Sequence, residues 1–228
     1  MKAKFIGNCY LCGESFTKIT MKTHLRLHNE KKGDEECRLL KIEGIHDKCY
    51  WLYIDVPVDK TLSVVDAFLR KIWLECCGHM SMFYSGDEKI AASSKLEKFN
   101  TGDKFFHNYD FGNTTTTQVT IMGNITRKQQ KSPVRLLARN APPILRCADC
   151  ETPAKFICME PDDNDNFPFY CGKCIKNHPK KTMFYITNSP RMGACSYTGE
   201  EDTFAFNPAN ILPEGCFTKK SKSAIIER

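Results

Sequence analysis

Apolar positions along this chain fall into short blocks, with one helical stretch among them. Leu62, Val65, Phe68, Leu69, Ile72 and Trp73 recur at the spacing of one helix face; Thr61 stands where an N-cap belongs and Gly78 where the helix would end. Elsewhere the blocks are short and rich in β-branched and aromatic residues. Strands are predicted at Arg38–Glu43 and at Cys49–Val56, where Tyr50-Trp51-Leu52-Tyr53-Ile54 is the densest run. Shorter strands are expected near Ser81–Tyr84, Lys104–Tyr109, Thr117–Ile121 and Val134–Ala138. The run Thr114-Thr115-Thr116-Thr117 fits an edge strand or a turn exit. One clear helix among many strands predicts an α+β chain built on a mixed sheet domain at 37–140.

Polar and proline-rich stretches divide the rest. Asn29-Glu30-Lys31-Lys32-Gly33-Asp34-Glu35-Glu36 has no apolar residue and reads as a linker after a first module at 1–32. Asn140-Ala141-Pro142-Pro143 is a stiff joint before a Cys/His module at 144–215. Residues 216–228, with Lys219, Lys220 and Lys222, read as a mobile basic tail.

Composition changes this picture through cysteine. The 228 residues include 13 cysteines, an odd number, and the N-terminal stretch has no apolar segment suited to secretion. A cytoplasmic protein is therefore expected, with thiols kept reduced as metal ligands rather than paired. No run approaches the roughly 20 apolar residues that cross a bilayer, so no membrane partner is expected.

Cys9-x2-Cys12-x11-His24-x3-His28 has the ligand types and spacing of a tetrahedral zinc site. Two cysteines two residues apart fit a hairpin knuckle, and histidines at i and i+4 share a helix face. Phe16 and Met21 take the small-core positions, and a module this short needs the metal to fold. The stretch resembles the ββα Cys2His2 zinc finger, with eleven residues between Cys12 and His24 where twelve are commoner.

Charge suggests a partner for it. Residues 1–32 hold seven basic and two acidic residues, net +5 of the chain's +6. Lys18, Lys22, Arg26, Lys31 and Lys32 are the candidate phosphate contacts. The start of the helix offers Thr17, Lys18, Ile19, Thr20 and Thr23, without the Arg, Asn or Gln that read bases bidentately. Nucleic-acid binding is thus expected to be weak and non-specific. A protein partner is the other reading, and a solvated basic face the plainest one.

A second ligand set follows the proline joint: Cys147-x2-Cys150-x7-Cys158-x12-Cys171-x2-Cys174-x3-His178. Cys147, Cys150, Cys171 and Cys174 suffice for one closed four-cysteine zinc site. Cys158, His178 and Cys195 would make most of a further site in the interleaved manner of B-box-like modules, lacking a fourth ligand unless Asp162, Asp163 or Asp165 supplies one. Alternatively, Cys158 and Cys195 are small buried residues. Two zinc ions are expected, with a third if that set closes.

The stretch from Asp59 to Phe83, ending in Cys76-Cys77-Gly78-His79-Met80-Ser81-Met82-Phe83, resembles the Ri-plasmid ORF-3-like family, also called an insertion-element passenger protein family. Phe105-Phe106-His107-Asn108-Tyr109-Asp110-Phe111-Gly112 is similar to its second motif. Asn188-Ser189-Pro190-Arg191-Met192-Gly193 and Tyr197-Thr198-Gly199 are similar to longer members that carry a Cys/His module. The resemblance spans about residues 37–215 and implies an α+β domain with a plasmid or transposon association, without implying a reaction.

His79 and one of its cysteines either ligate a metal with His107 or cap the helix end and pack on Trp73, and the absence of a C-x2-C pair favours packing. A cysteine nucleophile there is disfavoured, because a helix C-terminus raises thiol pKa. Asp110 is expected as a turn former before Gly112. With no nucleophile–base or cofactor signature, the chain is expected not to be an enzyme but a zinc-binding, nucleic-acid-binding accessory protein, or alternatively a protein-interaction adaptor.

Overall fold

The computed structural model describes residues 5–28, 33–178, 182–195, 197–199 and 202–207. β1 (Ile6–Cys9) and β2 (Ser15–Thr17) form a hairpin that feeds α1 (Lys18–Leu25), whose last turn tightens over Arg26–His28. β3 (Glu35–Gly44) and β4 (Trp51–Pro57) follow, then α2 (Leu62–Leu69), continued by a wider π-type turn over Arg70–Leu74. β5 (Ser81–Ser85), β6 (Glu88–Ile90), β7 (Lys104–Tyr109), β8 (Thr115–Arg127) and β9 (Arg135–Asn140) complete one sheet. β10 (Phe156–Cys158), β11 (Phe169–Tyr170) and β12 (Met183–Tyr185) form a small second one.

The large sheet runs β2-β1-β9-β4-β3-β8-β7-β5-β6, antiparallel throughout, and the small one β11-β10-β12. With two short helices on an antiparallel sheet, the chain is of the expected α+β class. No helix among the described residues is long and apolar enough to cross a membrane.

β4 explains the layering. All seven of its residues are buried, because both faces are covered. Leu52, Ile54 and Val56 point to a core shared with Leu62, Val65, Leu69, Ile72 and Trp73 of the α2 region. Trp51 and Tyr53 point the other way, into a second core with Cys9, Met21 and Leu25 of the N-terminal unit and Cys37, Leu39, Ile125, Leu137 and Ala138 of the sheet. Asp55, on the same side, is buried between Arg127 and Arg135. The sheet is thus sandwiched between α2 and the N-terminal ββα unit.

The described residues 5–28 are therefore packed against and paired with the large sheet. β1 pairs with β9, register Gly7 to Asn140 and Cys9 to Ala138. A Cβ on Gly7 would lie 2.2 Å from the Arg139 carbonyl oxygen and 2.6 Å from the Trp51 ring, so only glycine lets the two strands close here. Glu35 and Glu36, expected in a linker, begin β3, where Glu35 pairs with Arg127 at 2.7 Å.

Two further expectations are corrected. The threonine run opens β8, the longest strand, which lies inside the sheet between β3 and β7 rather than at an edge; Thr115 and Thr117 are buried. The regular helix stops at Leu69, and its π-type continuation ends four residues before Gly78. The chain after β12 does not stay with its own module but returns to the large sheet. Arg139 holds Asp202 at 2.7 Å, Asn140 holds the Asn188 side chain at 2.6 Å, and Ser189 Oγ donates to the Trp73 carbonyl at 2.6 Å. The predicted tail at 216–228 lies outside the described residues.

Candidate metal centres

Four zinc ligands at bond lengths of about 2.3 Å (sulfur) and 2.0–2.1 Å (nitrogen) stand at tetrahedron corners roughly 3.3–3.8 Å apart. Three groups of four Cys/His side chains among the described residues approach that arrangement, each with all ligand atoms within 4.8 Å of one another.

The first joins Cys9, Cys12, His24 and His28. Cys9 ends β1, and a turn closed by Gly13 N–H on the Cys9 carbonyl brings Cys12 alongside. His24 lies on α1 and His28 on its tightened last turn. Cys9 Sγ is 3.7 Å from His28 Nε2, Cys12 Sγ is 3.2 Å from His24 Nε2, and the two Nε2 atoms are 2.9 Å apart. Phe16 stacks on His24 at 4.0 Å, and Met21 is buried below. Without a metal the two sulfurs share a proton: the Cys9 hydrogen bond drives Cys12 down to about 2, while the same bond and burial push Cys9 up. A bound cation would displace that proton, because both sulfurs ligate as thiolates.

The second joins Cys147, Cys150, Cys171 and Cys174. Cys150 Sγ is 3.7 Å from Cys171 and 3.5 Å from Cys174. Both C-x2-C pairs sit on tight turns: Glu151 N–H donates to the Cys147 carbonyl, and Ile175 N–H to that of Cys171. Backbone N–H groups of Cys174 and Lys173 point at Cys171 and lower its thiol to about 6. Two closed sets of soft sulfur and imidazole donors suit zinc.

The predicted grouping of Cys158, His178 and Cys195 is not what the fold assembles. Cys158 is buried at the end of β10, bonded to the Glu160 backbone. The His178 ring lies tilted against Tyr170, centroids 4.2 Å apart, and meets Asp149 at 3.1 Å. Asp162 turns inward on its own loop, accepting from Asn164 and Asn166 N–H.

Cys195 instead enters a third group with Cys76, Cys77 and His79. Cys77 Sγ lies 3.7 Å from both Cys76 and Cys195, and His79 Nε2 lies 2.9 Å from Cys77 and 3.3 Å from Cys195. Asp110 Oδ2 is 3.4 Å from the same nitrogen. His107, the companion of His79 in the disfavoured ligand reading, is buried elsewhere with Nε2 2.7 Å from Asp66; His79 itself meets Cys77 and Cys195 rather than packing on Trp73 as the favoured reading expected. Burial opposes ionisation of Asp66, but hydrogen bonds from His107 and Ser81 more than offset it and hold the carboxyl at about 2. Asp110 makes its expected turn, accepting from Gly112 and Asn113 N–H. Its other oxygen pairs with buried Arg191 at 2.7 Å. The signal for this group was Cys-Cys-Gly-His after a helix plus one cysteine left over downstream.

Of the candidate phosphate contacts, Lys18 is committed inward, to Glu43 at 3.0 Å and to the Lys48 carbonyl at 3.0 Å. Lys22 is half-buried and Arg26 exposed. Lys31 and Lys32 lie outside the described residues. Ile19 and Leu27, on the outer side of the same helical unit, are 83% and 76% exposed.

No protein-family model and no curated protein matches the chain. Among solved structures, a protein of unknown function from Methanosarcina mazei Go1 is similar at 18% identity, covering 46% of this chain and 69% of that one, with a TM-score of 0.40. A likeness that slight assigns nothing.

Proposed function

We propose that this chain is a zinc-dependent binding protein that works as an adaptor. One ion closes the N-terminal ββα unit as a Cys2His2 finger, held by Cys9, Cys12, His24 and His28. A second closes a ribbon-like C-terminal module through Cys147, Cys150, Cys171 and Cys174. The observation that carries the reading is the convergence of both four-ligand sets, each with its ligand atoms within 4.8 Å of one another. Sites closed by four protein ligands offer no position for water, which favours binding over metal-assisted hydrolysis.

The outward face of the finger supports a protein partner over a polyanion. Ile19 and Leu27 are exposed there with Thr23 between them, while Lys18 is spent on Glu43. Thr17 and Thr20 are occupied with each other at the helix cap. The net +5 of residues 1–32, with Arg26 exposed, favours the second reading: weak, sequence-indifferent phosphate binding. The family resemblance adds an expected plasmid or transposon context.

Elemental analysis of protein purified without added metal tests the zinc reading. At least two ions per chain are expected, and fewer than about 1.5 with all thiols reduced would reject it. Titration against duplex and single-stranded DNA over a range of salt separates the partners. A log-log slope of roughly −3 to −5, reduced in magnitude by about 2 on Arg26→Ala with Lys22→Ala, would replace the adaptor reading with the nucleic-acid one.

A further inference from the structure

We propose that Cys76, Cys77, His79 and Cys195 bind a third zinc ion, in a site of three cysteines and one histidine that clasps the returning C-terminal segment onto the end of the α2 region. The donor set is three soft sulfurs and an imidazole, the chemistry that selects zinc among abundant divalent metals. The two Sγ–Sγ separations of 3.7 Å equal the edge of a zinc–thiolate tetrahedron, roughly 3.8 Å, and are far from the roughly 2.05 Å of a disulfide.

The surrounding chain holds these ligands in place by means that do not involve a metal. Gly78, at φ +78°, reverses the backbone between Cys77 and His79 so that both face one point. Cys195 has φ +49°, a left-handed conformation unfavourable for a non-glycine residue that persists where neighbours enforce it. The loop that delivers it is pinned twice, by Ser189 on the Trp73 carbonyl and by Arg191. The Arg191 guanidinium is fully buried, lies over the Tyr109 ring at 4.8 Å, pairs with Asp110, and donates to the Asn113 carbonyl at 2.9 Å and Thr115 Oγ1 at 3.0 Å.

Charge fits as well. Three thiolates around a divalent cation leave one net negative charge. Arg191 donates to Cys76 Sγ at 3.4 Å, placing a fixed positive charge against it. His79 is fixed from behind, its carbonyl accepting from Arg70 Nη2 at 2.6 Å. Cys77 and Cys195 are exposed, so this ion faces solvent more than a buried one would and should leave first under a chelator.

The site is independent of the two in the proposed function, whose ligands lie elsewhere, so its failure is separable from theirs. The test uses full-length protein purified under reducing conditions without added metal. Elemental analysis should give about three zinc ions per chain, falling to about two in Cys195→Ser and in His79→Gln. After cobalt exchange, sulfur-to-metal charge-transfer absorption should fall by about a third in Cys195→Ser, because three of nine sulfur ligands belong to this site. Should either variant fail to fold, alkylation of the wild-type protein decides. Cys77 and Cys195 should resist iodoacetamide until chelator is added. Equal zinc content in wild type and folded variants would overturn the proposal, as would prompt alkylation of both cysteines in zinc-loaded protein or a Cys77–Cys195 disulfide.

Discussion

Deleting residues 1–32 should collapse the central domain rather than release an intact one. The deletion strips one whole face of β4 and its neighbours. Trp51, Leu39, Tyr53 and Leu137 are at most 1% exposed and belong to the cluster that Cys9, Met21 and Leu25 complete. Full burial of such a side chain is worth about 1.5–3 kcal/mol, so four of them put about 6–12 kcal/mol at stake as an upper bound. That is comparable to the roughly 5–15 kcal/mol by which domains are stable at all. The deletion also removes the Tyr53 hydroxyl's acceptor, the Lys18 carbonyl at 3.0 Å, and turns β9 into an unpaired edge open to aggregation. At roughly 2–4 °C per kcal/mol for a chain of this size, the melting transition should drop by more than about 12 °C or vanish. Circular dichroism melts and size-exclusion chromatography of the truncated and full chains are the measurements. A monomeric truncation melting cooperatively within about 5 °C of the full chain would refute the argument and restore the finger as an independent module.

Two smaller perturbations probe the same framework. Gly7→Ala should destabilise the chain by about 2–4 kcal/mol in urea melts, as a sub-van-der-Waals clash with the Arg139 carbonyl forces β1 off β9; an effect within about 0.5 kcal/mol would mean the seam is looser than described. Asp66→Asn tests the ion network through pH. The folded carboxyl is held at about 2 against roughly 3.9 unfolded, so its contribution, about 2 kcal/mol, is complete above about pH 4 and fades as pH falls towards 2. The stability gap between wild type and variant should therefore shrink over that window, and a gap independent of pH would rule out ionisation as its source.

Local structure was legible wherever a short-range rule governs it. The strands at β3, β4, β5, β7, β8 and β9 follow the apolar blocks, and both C-x2-C-containing ligand sets come together because knuckles and one helical turn are local geometry. What sequence alone could not carry was pairing at a distance. Nothing in Ile6-Gly7-Asn8 announces β9, far along the chain, as its partner strand, and a charged stretch after a finger reads as a linker until Glu35 is seen paired with Arg127. Sequence order groups Cys195 with Cys158 and His178, the ligands left over upstream of it. The backbone carries it to Cys77 instead, along a segment in which Asn188 bonds Asn140 of β9, Ser189 the Trp73 carbonyl and Arg191 the Asp110 carboxylate.

That return path unites features that look unrelated along the chain. Three such stretches are the end of the α2 region with its Cys-Cys-Gly-His, the Tyr-Asp-Phe-Gly turn, and the Asn-Ser-Pro-Arg segment. In space they meet around one buried guanidinium. Arg191 is almost wholly enclosed, and a charge so placed is tolerated only with its partners in position. Asp110 supplies the counter-charge, and does so from a left-handed backbone, φ +64°, that its own Asx turn stabilises. Cys76 supplies a sulfur, Tyr109 the ring face, and the carbonyl and hydroxyl of Asn113 and Thr115 take further N–H groups. A hub of this kind specifies one docking geometry for the C-terminal segment, because a shifted register would leave the arginine buried and unpaired. The segment is therefore placed by charge and hydrogen bonding, and Cys195 arrives beside Cys77 and His79 as a consequence of that placement.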